Sequence, residues 1–291
     1  MLQRIVFKIR AGGISGILSA IKRRINPPIA KNSMIFCKRN ISGKSGIEIG
    51  GITALFKKNG ILPIYPMVGS LDNCNFSSTT TWEGEISGGF TFEYKKNHTK
   101  GMQYISDATD LSQILSLNYD FVISSHVIEH VANPIKALIE WKRIIKDNGY
   151  LILILPHKDG TFDHKRPVTK LDHLNQDYKN LTDESDLSHL NEILDLHDLK
   201  KDIGAGPFDK FKERSLDNYS NRCLHHHVFD TKLVIELLTQ LNFKIHNLEH
   251  ILPYHIITIA QKLGEHEIAC NKEFMLKPLY QKLSPFKSDK T

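Results

Sequence analysis

The 291-residue sequence predicts a doubly wound α/β domain, because short apolar strands alternate with helical segments and the last two strands share a short link. The first five predicted strands are 45–51, 61–65, 102–106, 120–125 and 150–155. Their near-continuous apolar character is typical of a parallel sheet covered on both faces. Ligands of such sheets bind at the carboxyl ends of the strands, so we expect the functional residues there.

The predicted helices carry clear boundary signals. One helix is predicted over 134–146, with Asn133 as its N-cap, Pro134 in its first turn and Asn148-Gly149 as its stop. A second helix, 231–241, precedes the two final strands, 243–250 and 255–262. The link between these strands is too short for a crossover, so they must be antiparallel.

The sequence divides into an α/β domain with one insertion and two flanking segments. The predicted parts are a basic amphipathic N-terminal arm (1–40), the α/β domain (41–262), a histidine-rich helical cap inserted after the fifth strand (157–229) and a Lys-rich C-terminal tail (263–291). Ten of the 15 histidines lie between His126 and His227, which directs attention to the cap.

The net charge of +6 belongs mainly to the arm. Residues 1–44 contain ten Lys or Arg and no acid, whereas residues 45–261 contain 22 basic and 28 acidic residues. A mildly acidic body argues against nucleic acid as a partner. The basic amphipathic segment 1–26 favours peripheral contact with an anionic membrane surface. Docking of this segment on its own domain or on a second subunit stays an alternative.

Cysteine usage and hydropathy indicate a cytoplasmic protein. The four cysteines lie far apart and form no C-x-x-C pair, which argues against a zinc ribbon or a disulfide scaffold. No apolar run reaches the ~18 residues of a transmembrane helix, and charged residues interrupt any signal-peptide pattern near the N-terminus. We expect a cytoplasmic location, at the inner face of the membrane if the arm binds lipid.

Three motifs follow the predicted strands at their carboxyl ends. They are Gly46-Ile-Glu-Ile-Gly-Gly51, Ser106-Asp-Ala108 and the stretch Tyr119-Asp-Phe-Val-Ile-Ser-Ser-His-Val-Ile-Glu-His-Val131. Glycines at the first turn allow the backbone to approach a ligand closely. An acid and a glycine turn end the first of these strands, and polar residues end two later ones. This order favours a single binding site along the carboxyl edge of the sheet.

These motifs resemble the class I S-adenosylmethionine-dependent methyltransferases, particularly the type-11-like group. The resemblance covers residues 45–156 well, and 230–262 correspond to the expected closing helix and hairpin. It implies a Rossmann-like sheet of seven strands in the order 3-2-1-4-5-7-6, with the last strand antiparallel. It also implies S-adenosylmethionine as the cofactor.

The resemblance assigns a cofactor role to residues at four strand ends. Glu48, Gly50 and Gly51 would hold the methionine part, Asp107 and Ala108 would flank the adenine, and Ser125 and His126 would lie beside the sulfonium. The family places an acid for the ribose after strand two, where this sequence has Tyr65-Pro66, so Asp72 is the nearest candidate. The glycine pattern is also shortened, since Ile52 and Thr53 follow Gly51.

The cap begins where the fifth strand leaves the sheet, next to the expected methyl group. His157, Asp163, His164 and His226 are the candidates for a general base and its orienting carboxylate, because histidine titrates near neutrality. Lys158, Arg166, His225 and His227 are the candidates for binding the acceptor. His173, His189 and His197 are predicted to be surface or capping groups rather than ligands. No metal ligand is assigned, although His225 and His227 with Asp163 or His164 could bind a divalent metal.

The predicted reaction is methyl transfer to a hydroxyl group of a small polar acceptor. The segments LPHKD, FDHKRPVT and RCLHHHVFD resemble methyltransferase-domain proteins of bacterial surface-polysaccharide gene clusters, which favours a sugar or glycan acceptor. One alternative is a non-catalytic binding module with the same fold. Another is a zinc hydrolase, because His126-Val-Ile-Glu-His130 matches the H-x-x-E-H signature.

Overall fold

The computed structural model describes residues 28–275 and 279–290 and contains one large sheet with helices on both faces. The segment 1–26, for which membrane contact is predicted, lies outside the described residues. The sheet strands are β1 (Ser45–Ile49), β2 (Ser70–Asn75), β5 (Gly89–Phe92), β6 (Gly101–Ile105), β7 (Tyr119–Ser125), β8 (Ile145–Pro156), β9 (Phe243–Ile251) and β10 (His255–Lys262). A separate hairpin contains β3 (Thr79–Thr80) and β4 (Gly84–Glu85).

The strand order is β5-β6-β2-β1-β7-β8-β10-β9. Strands β6, β2, β1, β7 and β8 are parallel to one another, whereas β10 is antiparallel to both β8 and β9. This arrangement confirms the predicted doubly wound fold and its seven-strand order. Strand β5 adds an antiparallel edge to β6 that the sequence did not predict.

The second strand was predicted in the wrong place. Residues 61–65 form a buried irregular segment, and the backbone amides of Leu62 and Tyr65 donate to the turn at Leu55 and Phe56. The true strand, β2, is polar, but its buried Asn73 donates to the carbonyls of Glu48 and Gly50. Hydropathy overlooks such a strand because its polar groups are satisfied inside the sheet.

The helices lie on both faces of the sheet and in the cap. They are α1 (Lys31–Asn40), α2 (Pro134–Ile144), α3 (Leu171–Asn180), α4 (Leu190–Leu196), α5 (Phe208–Leu216), α6 (Asn218–Asn221), α7 (Thr231–Gln240), α8 (Lys272–Met275) and α9 (Leu279–Leu283). The Asn133 side chain accepts a hydrogen bond from the amide of Lys136, as its predicted role as an N-cap requires. None of the described helices is long and apolar enough to cross a membrane.

Successive side chains of the central strands point to opposite faces of the sheet, which produces two separate hydrophobic cores. Val122 of β7 packs with α2 and α7 on one face, whereas Phe121 and Ile123 pack toward the buried segment 56–68 on the other. The cap has a smaller core of its own, built around Ile193 and Phe211. Leu174 of α3 belongs to the first of the two sheet cores, so the cap is joined to the sheet and also has a small core of its own.

Candidate active site

A cavity of about 350 Å³ lies at the carboxyl ends of β1, β2, β6 and β7. Its lining includes the glycine turn, the β3–β4 hairpin, the segment after β7 and two residues of the cap. Among its lining residues are Gly50, Gly51, Phe76, Trp82, Glu83, Asp107, Ala108, Ser125, His126, His130, Val131, Glu184 and Arg222. The structure thus brings together the strand-end motifs that the sequence singled out.

The glycine turn after β1 leaves no room for a side chain. Gly50 has a φ of +99°, and a Cβ atom there would stand 2.4 Å from Cγ2 of Val127. A Cβ atom on Gly51 would stand 2.5 Å from Oε1 of Glu83, at the flexible end of a side chain. The turn therefore exposes bare backbone to the cavity, which is what the predicted close approach of a ligand requires.

Glu48 does not line the cavity but holds the segment after the glycine turn through hydrogen bonds. Its buried carboxylate accepts hydrogen bonds from the hydroxyl of Tyr65 at 2.9 and 2.7 Å, and that hydroxyl accepts from the amide of Thr53. Burial raises the pKa of Glu48 well above its ordinary value, although the Tyr65 hydroxyl opposes this. Its predicted contact with the cofactor is thus replaced by a supporting role.

Asp72 is not available for the predicted ribose contact. It lies within β2, where Oδ1 accepts from the amide of Met102 at 2.8 Å and Oδ2 from the hydroxyl of Tyr119 at 2.6 Å. Both oxygens are used inside the sheet, and Asp72 does not line the cavity. The prediction failed because the second strand was placed too early in the sequence.

Glu83 provides a carboxylate at the position where the prediction expected one. It stands on the β3–β4 hairpin, accepts from the amide of Ile52, and accepts from Nδ2 of Asn75, the last residue of β2, at 3.1 Å. The sequence pattern gives no sign of this role, because Glu83 follows β2 by eight residues and lies on a hairpin with no apolar periodicity. Asp107, at the end of β6, supplies a second carboxylate to the cavity.

His126 follows β7 directly and faces the cavity with defined partners on both ring nitrogens. Nδ1 lies 3.3 Å from Oε1 of the buried Glu129, and Nε2 lies 3.0 Å from Nδ1 of His255. Burial raises the pKa of Glu129, but the hydrogen bond and charge of His126 outweigh it, so this pKa lies below its ordinary value. Burial and His126 lower the pKa of His255 to about 3.

The charge of Glu129 places one proton on His126. An ionised Glu129 can only accept, so Nδ1 of His126, 3.3 Å from it, carries a proton. Nε2 of His126 and Nδ1 of His255 share one hydrogen bond, whose direction follows the tautomers of the two rings. His130, on the same wall, donates from Nδ1 to the carbonyl of Leu224, and burial with the neighbouring His225 lowers its pKa to about 3.

The H-x-x-E-H pattern does not form the helical zinc site that it matches. Residues Ile128–His130 make a single 3₁₀ turn, and His126 precedes it with a φ of +54°. His126 pairs with Glu129 and His255, whereas His130 pairs with a backbone carbonyl. A zinc protease needs both histidines on one face of a longer helix.

All four predicted catalytic residues lie outside the cavity lining, and the three histidines are held by other partners. His157 is fully buried, stacks on Phe286 and lies 3.1 Å from Asp289 in the C-terminal tail. His164 pairs with Asp198 at 2.9 Å. His226 is buried against Asn218 and Glu184. None of them lines the cavity, so the structure removes them as candidates for the base.

Asp163 and Arg166 form a buried ion pair that organises the cap. Nη1 of Arg166 donates to Asp163 at 3.0 Å and to the carbonyl of His225 at 2.8 Å, and Nε donates to Glu192 at 2.8 Å. Nδ1 of His225 meets the other oxygen of Asp163 at 2.5 Å. Burial raises the pKa of Asp163, but His225 and Arg166 outweigh it and hold this pKa at about 2.

The predicted acceptor-binding residues are likewise structural. Arg166 is 1% exposed, and Nζ of Lys158 donates to its carbonyl, so neither can hold an anionic substrate. His225 is paired with Asp163, whereas His227 is turned toward His173 and His189. The predicted metal set of His225, His227 and Asp163 or His164 is therefore not assembled.

Comparisons with known proteins agree with the topology. Residues 21–247 match the family described as "Methyltransferase domain". A methyltransferase structure from Aquifex aeolicus is 12% identical, with 83% of this chain and 93% of that chain covered and a TM-score of 0.43. One from Methanosarcina mazei is 16% identical, with 79% and 98% covered and a TM-score of 0.43.

The N-methyltransferase NodS from Bradyrhizobium japonicum is 8% identical, with 80% of this chain and 94% of that chain covered and a TM-score of 0.45. No curated protein sequence gives a significant match. The family match spans residues 21–247 of 291 and contains the four parallel strands whose ends form the cavity. The chain therefore belongs to the methyltransferase domain family.

Proposed function

We propose that the protein transfers a methyl group from S-adenosylmethionine to a hydroxyl group of a neutral polar acceptor, with His126 as the general base. The observation that carries this proposal is the position of His126. It leaves β7 at the cavity wall, next to the glycine turn, with its Nδ1 proton held toward Glu129. Bound S-adenosylmethionine supplies an electrophilic methyl group on a positively charged sulfur.

The lining residues fit such a cofactor. The bare backbone at Gly50 and Gly51 offers a close approach, and Glu83 offers a carboxylate to the two ribose hydroxyls in place of Asp72. Phe76 and Val131 provide an apolar surface for the adenine ring of the cofactor, and Asp107 lies on the same part of the lining. Oγ of Ser125 is buried and has no hydrogen-bond partner among the described residues, which leaves one polar atom of the wall open to a ligand.

His126 is better suited to remove the acceptor proton than its neighbour on the wall. Its Nε2 lies 3.0 Å from Nδ1 of His255, and an acceptor hydroxyl that takes the place of His255 would be aligned for deprotonation. Glu129 then stabilises the positive charge that the ring gains. His130, with a pKa of about 3, is a weak base at neutral pH.

The charges around the cavity favour a neutral acceptor over an anionic one. Arg222 is the one Lys or Arg among the described residues that line it. Nη1 of Arg222 lies 3.2 Å from Asp107 and 3.1 Å from Glu184, so its charge is already balanced by two carboxylates. A phosphorylated acceptor would meet no free counter-charge here, whereas a polyhydroxylated one would find donors and acceptors.

An exposed aromatic ring at the mouth of the cavity favours a sugar acceptor. Trp82 is 57% exposed although it lines the cavity, and its ring lies 5.6 Å from that of His130. An exposed indole offers a flat apolar face with one polar atom, which suits the C–H face of a sugar. This feature supports the sugar or surface-glycan acceptor that the resemblance to polysaccharide-cluster proteins favours.

The proposal is tested by calorimetry and by a turnover screen. We expect saturable binding of S-adenosylmethionine, and formation of S-adenosylhomocysteine with one or more members of a panel of neutral hexoses and deoxyhexoses. Binding without turnover on any hydroxyl acceptor would favour the non-catalytic module instead. Absence of binding by a folded protein would overturn the assignment of the cavity.

A further inference from the structure

Three histidines of the cap face one another next to the cavity wall. His173 lies on α3, His189 directly precedes α4, and His227 lies in the segment that returns from the cap to the sheet. One ring nitrogen of each lies within 4.8 Å of one nitrogen of both others. The Nε2 atoms of His173 and His189 are 2.9 Å apart, and both rings lie 5.8 Å from the ring of His227.

A carboxylate stands beside this cluster. Oδ2 of Asp177 lies 3.3 Å from Nε2 of His173, four residues earlier on the same face of α3. This oxygen is buried and makes no hydrogen bond within the described part of the chain. Tetrahedral Zn²⁺ with bonds of about 2.0–2.1 Å has ligand atoms about 3.3 Å apart. The separations at His173, 2.9 Å to His189 and 3.3 Å to Asp177, are near this value, and Nε2 of His227 lies 3.8 Å from Oδ2 of Asp177.

The hydrogen bond of His227 leaves one of its nitrogens free. Its Nε2 lies 3.1 Å from the carbonyl oxygen of Ala132, which can only accept, so Nε2 carries the proton. Nδ1 then carries a lone pair, and it is buried with no partner among the described residues. Histidines that bind metals characteristically donate their other ring N–H to a carbonyl or carboxylate.

We propose that His173, His189 and His227 bind one Zn²⁺ ion, with Asp177 as the fourth ligand. Imidazole and carboxylate groups are ligands that Zn²⁺ prefers, and four protein ligands characterise a structural rather than a catalytic zinc site. The ion fastens α3 and the start of α4 to the return segment beside Ala132. It thereby fixes the cap segment that carries Glu184, whose Oε1 accepts from the amide of Ala132 at 3.0 Å.

The proposal is tested on the full-length protein without any need for activity. Protein stripped with a chelator and then dialysed against Zn²⁺ is expected to retain one zinc per chain by elemental analysis. Co²⁺ in its place is expected to give the visible absorption of a tetrahedral site. Zn²⁺ is expected to raise the Tm of the stripped protein. Failure to retain zinc would overturn the proposal.

Substitutions distinguish this site from other histidines. His189→Ala, at a half-buried position, is expected to weaken Zn²⁺ binding more than about 100-fold and to abolish the rise in Tm. Asp177→Asn gives an independent second variant if the first folds poorly. His246→Ala, at an exposed position, should bind zinc normally.

His130→Ala is the stricter control, because Glu129, His130 and His225 form another group with metal-ligand spacing. Zinc that is lost in His130→Ala but retained in His189→Ala and Asp177→Asn would overturn the assignment and place the ion at the cavity. Retention in His130→Ala with loss in the other two variants supports it.

Discussion

The two walls of the cavity use different chemistry. The wall formed by the ends of β1, β2 and β6 presents bare backbone at Gly50 and Gly51 with two carboxylates above it. The wall after β7 presents imidazole rings whose protons are positioned by buried partners. On the backbone wall, ligand binding depends on shape, and an added side-chain atom would block it. On the imidazole wall, the chemistry depends on which ring nitrogen carries the proton. Changes on the two walls should therefore separate cofactor binding from catalysis.

The largest effect is expected on the imidazole wall. We expect His126→Asn to lower kcat by about 10²–10⁴-fold, the range typical of a lost general base, and to leave the Kd of S-adenosylmethionine within about threefold. Asn is chosen because it tolerates the positive φ of this residue. Turnover of the acceptor found in the screen, with calorimetry in parallel, checks both values. His130→Asn should cost far less, and an equal loss in both variants would argue against His126 as the base.

On the backbone wall, Gly50→Ala is expected to weaken binding of S-adenosylmethionine by about 100-fold. The new Cβ would have to displace Val127, and the backbone at a φ of +99° adds strain of about 1–3 kcal/mol. Gly43→Ala is the matched control, because Gly43 also has a positive φ but a Cβ atom added there would meet nothing within 4 Å. Calorimetry should show normal binding by the control. Equal losses would mean that strain alone, not the shape of the wall, is responsible.

A smaller effect on the same wall is expected from Glu83→Gln. Loss of a charged hydrogen-bond acceptor for the ribose should weaken binding about 10-fold, since such bonds contribute about 1.5–3 kcal/mol. Glu85→Gln, on the same hairpin but exposed, should have no effect. Asp72→Asn should lower stability, because both oxygens of Asp72 are used within the sheet, and should leave the Kd unchanged. Weaker binding of S-adenosylmethionine by Asp72→Asn, with normal binding by Glu83→Gln, would instead identify Asp72 as the ribose ligand.

The same two walls differ in how far the sequence could locate their residues. A buried parallel strand determines which residue leaves the sheet at its carboxyl edge, so Gly50, Asp107 and His126 could be placed from motif and register alone. Glu83 could not, because a hairpin outside the main sheet carries it back to the end of β2. The carboxylate at this end of β2 therefore belongs to Glu83, whereas the predicted Asp72 lies within the strand.

The cap histidines show why the remaining predictions failed. His157 does leave the sheet beside the cavity, but it turns away to meet Asp289, which lies 132 residues further along the chain. Which way such a ring points depends on the packing of the cap and the tail, and no local pattern encodes that contact. His173 and Asp177 did carry a local signal, since residues four apart share one face of a helix. The prediction of His173 as a surface or capping group does not use this spacing.

The smallest expected effect concerns stability and its dependence on pH. Burial lowers the pKa of His225, but Asp163 outweighs it and holds this pKa above its ordinary value of 6.5. A raised folded-state pKa contributes stability that is fully present below pH 6.5 and is lost as the pH rises through the folded value. The pKa of Asp163, about 2 against an ordinary 3.8, contributes stability above pH 3.8 that is lost as the pH falls toward 2. The pair therefore stabilises the cap most strongly between about pH 4 and 6.5.

Urea unfolding of the wild type and of His225→Gln at pH 5.5 and at pH 9 tests this window. The difference in the free energy of unfolding should be larger at pH 5.5, where the charged pair is intact, and should shrink at pH 9 as His225 loses its proton. His246→Gln, at an exposed position, corrects for general effects of replacing a histidine. A difference that is constant with pH would mean that His225 contributes by packing against Phe162 and His130 rather than by its charge.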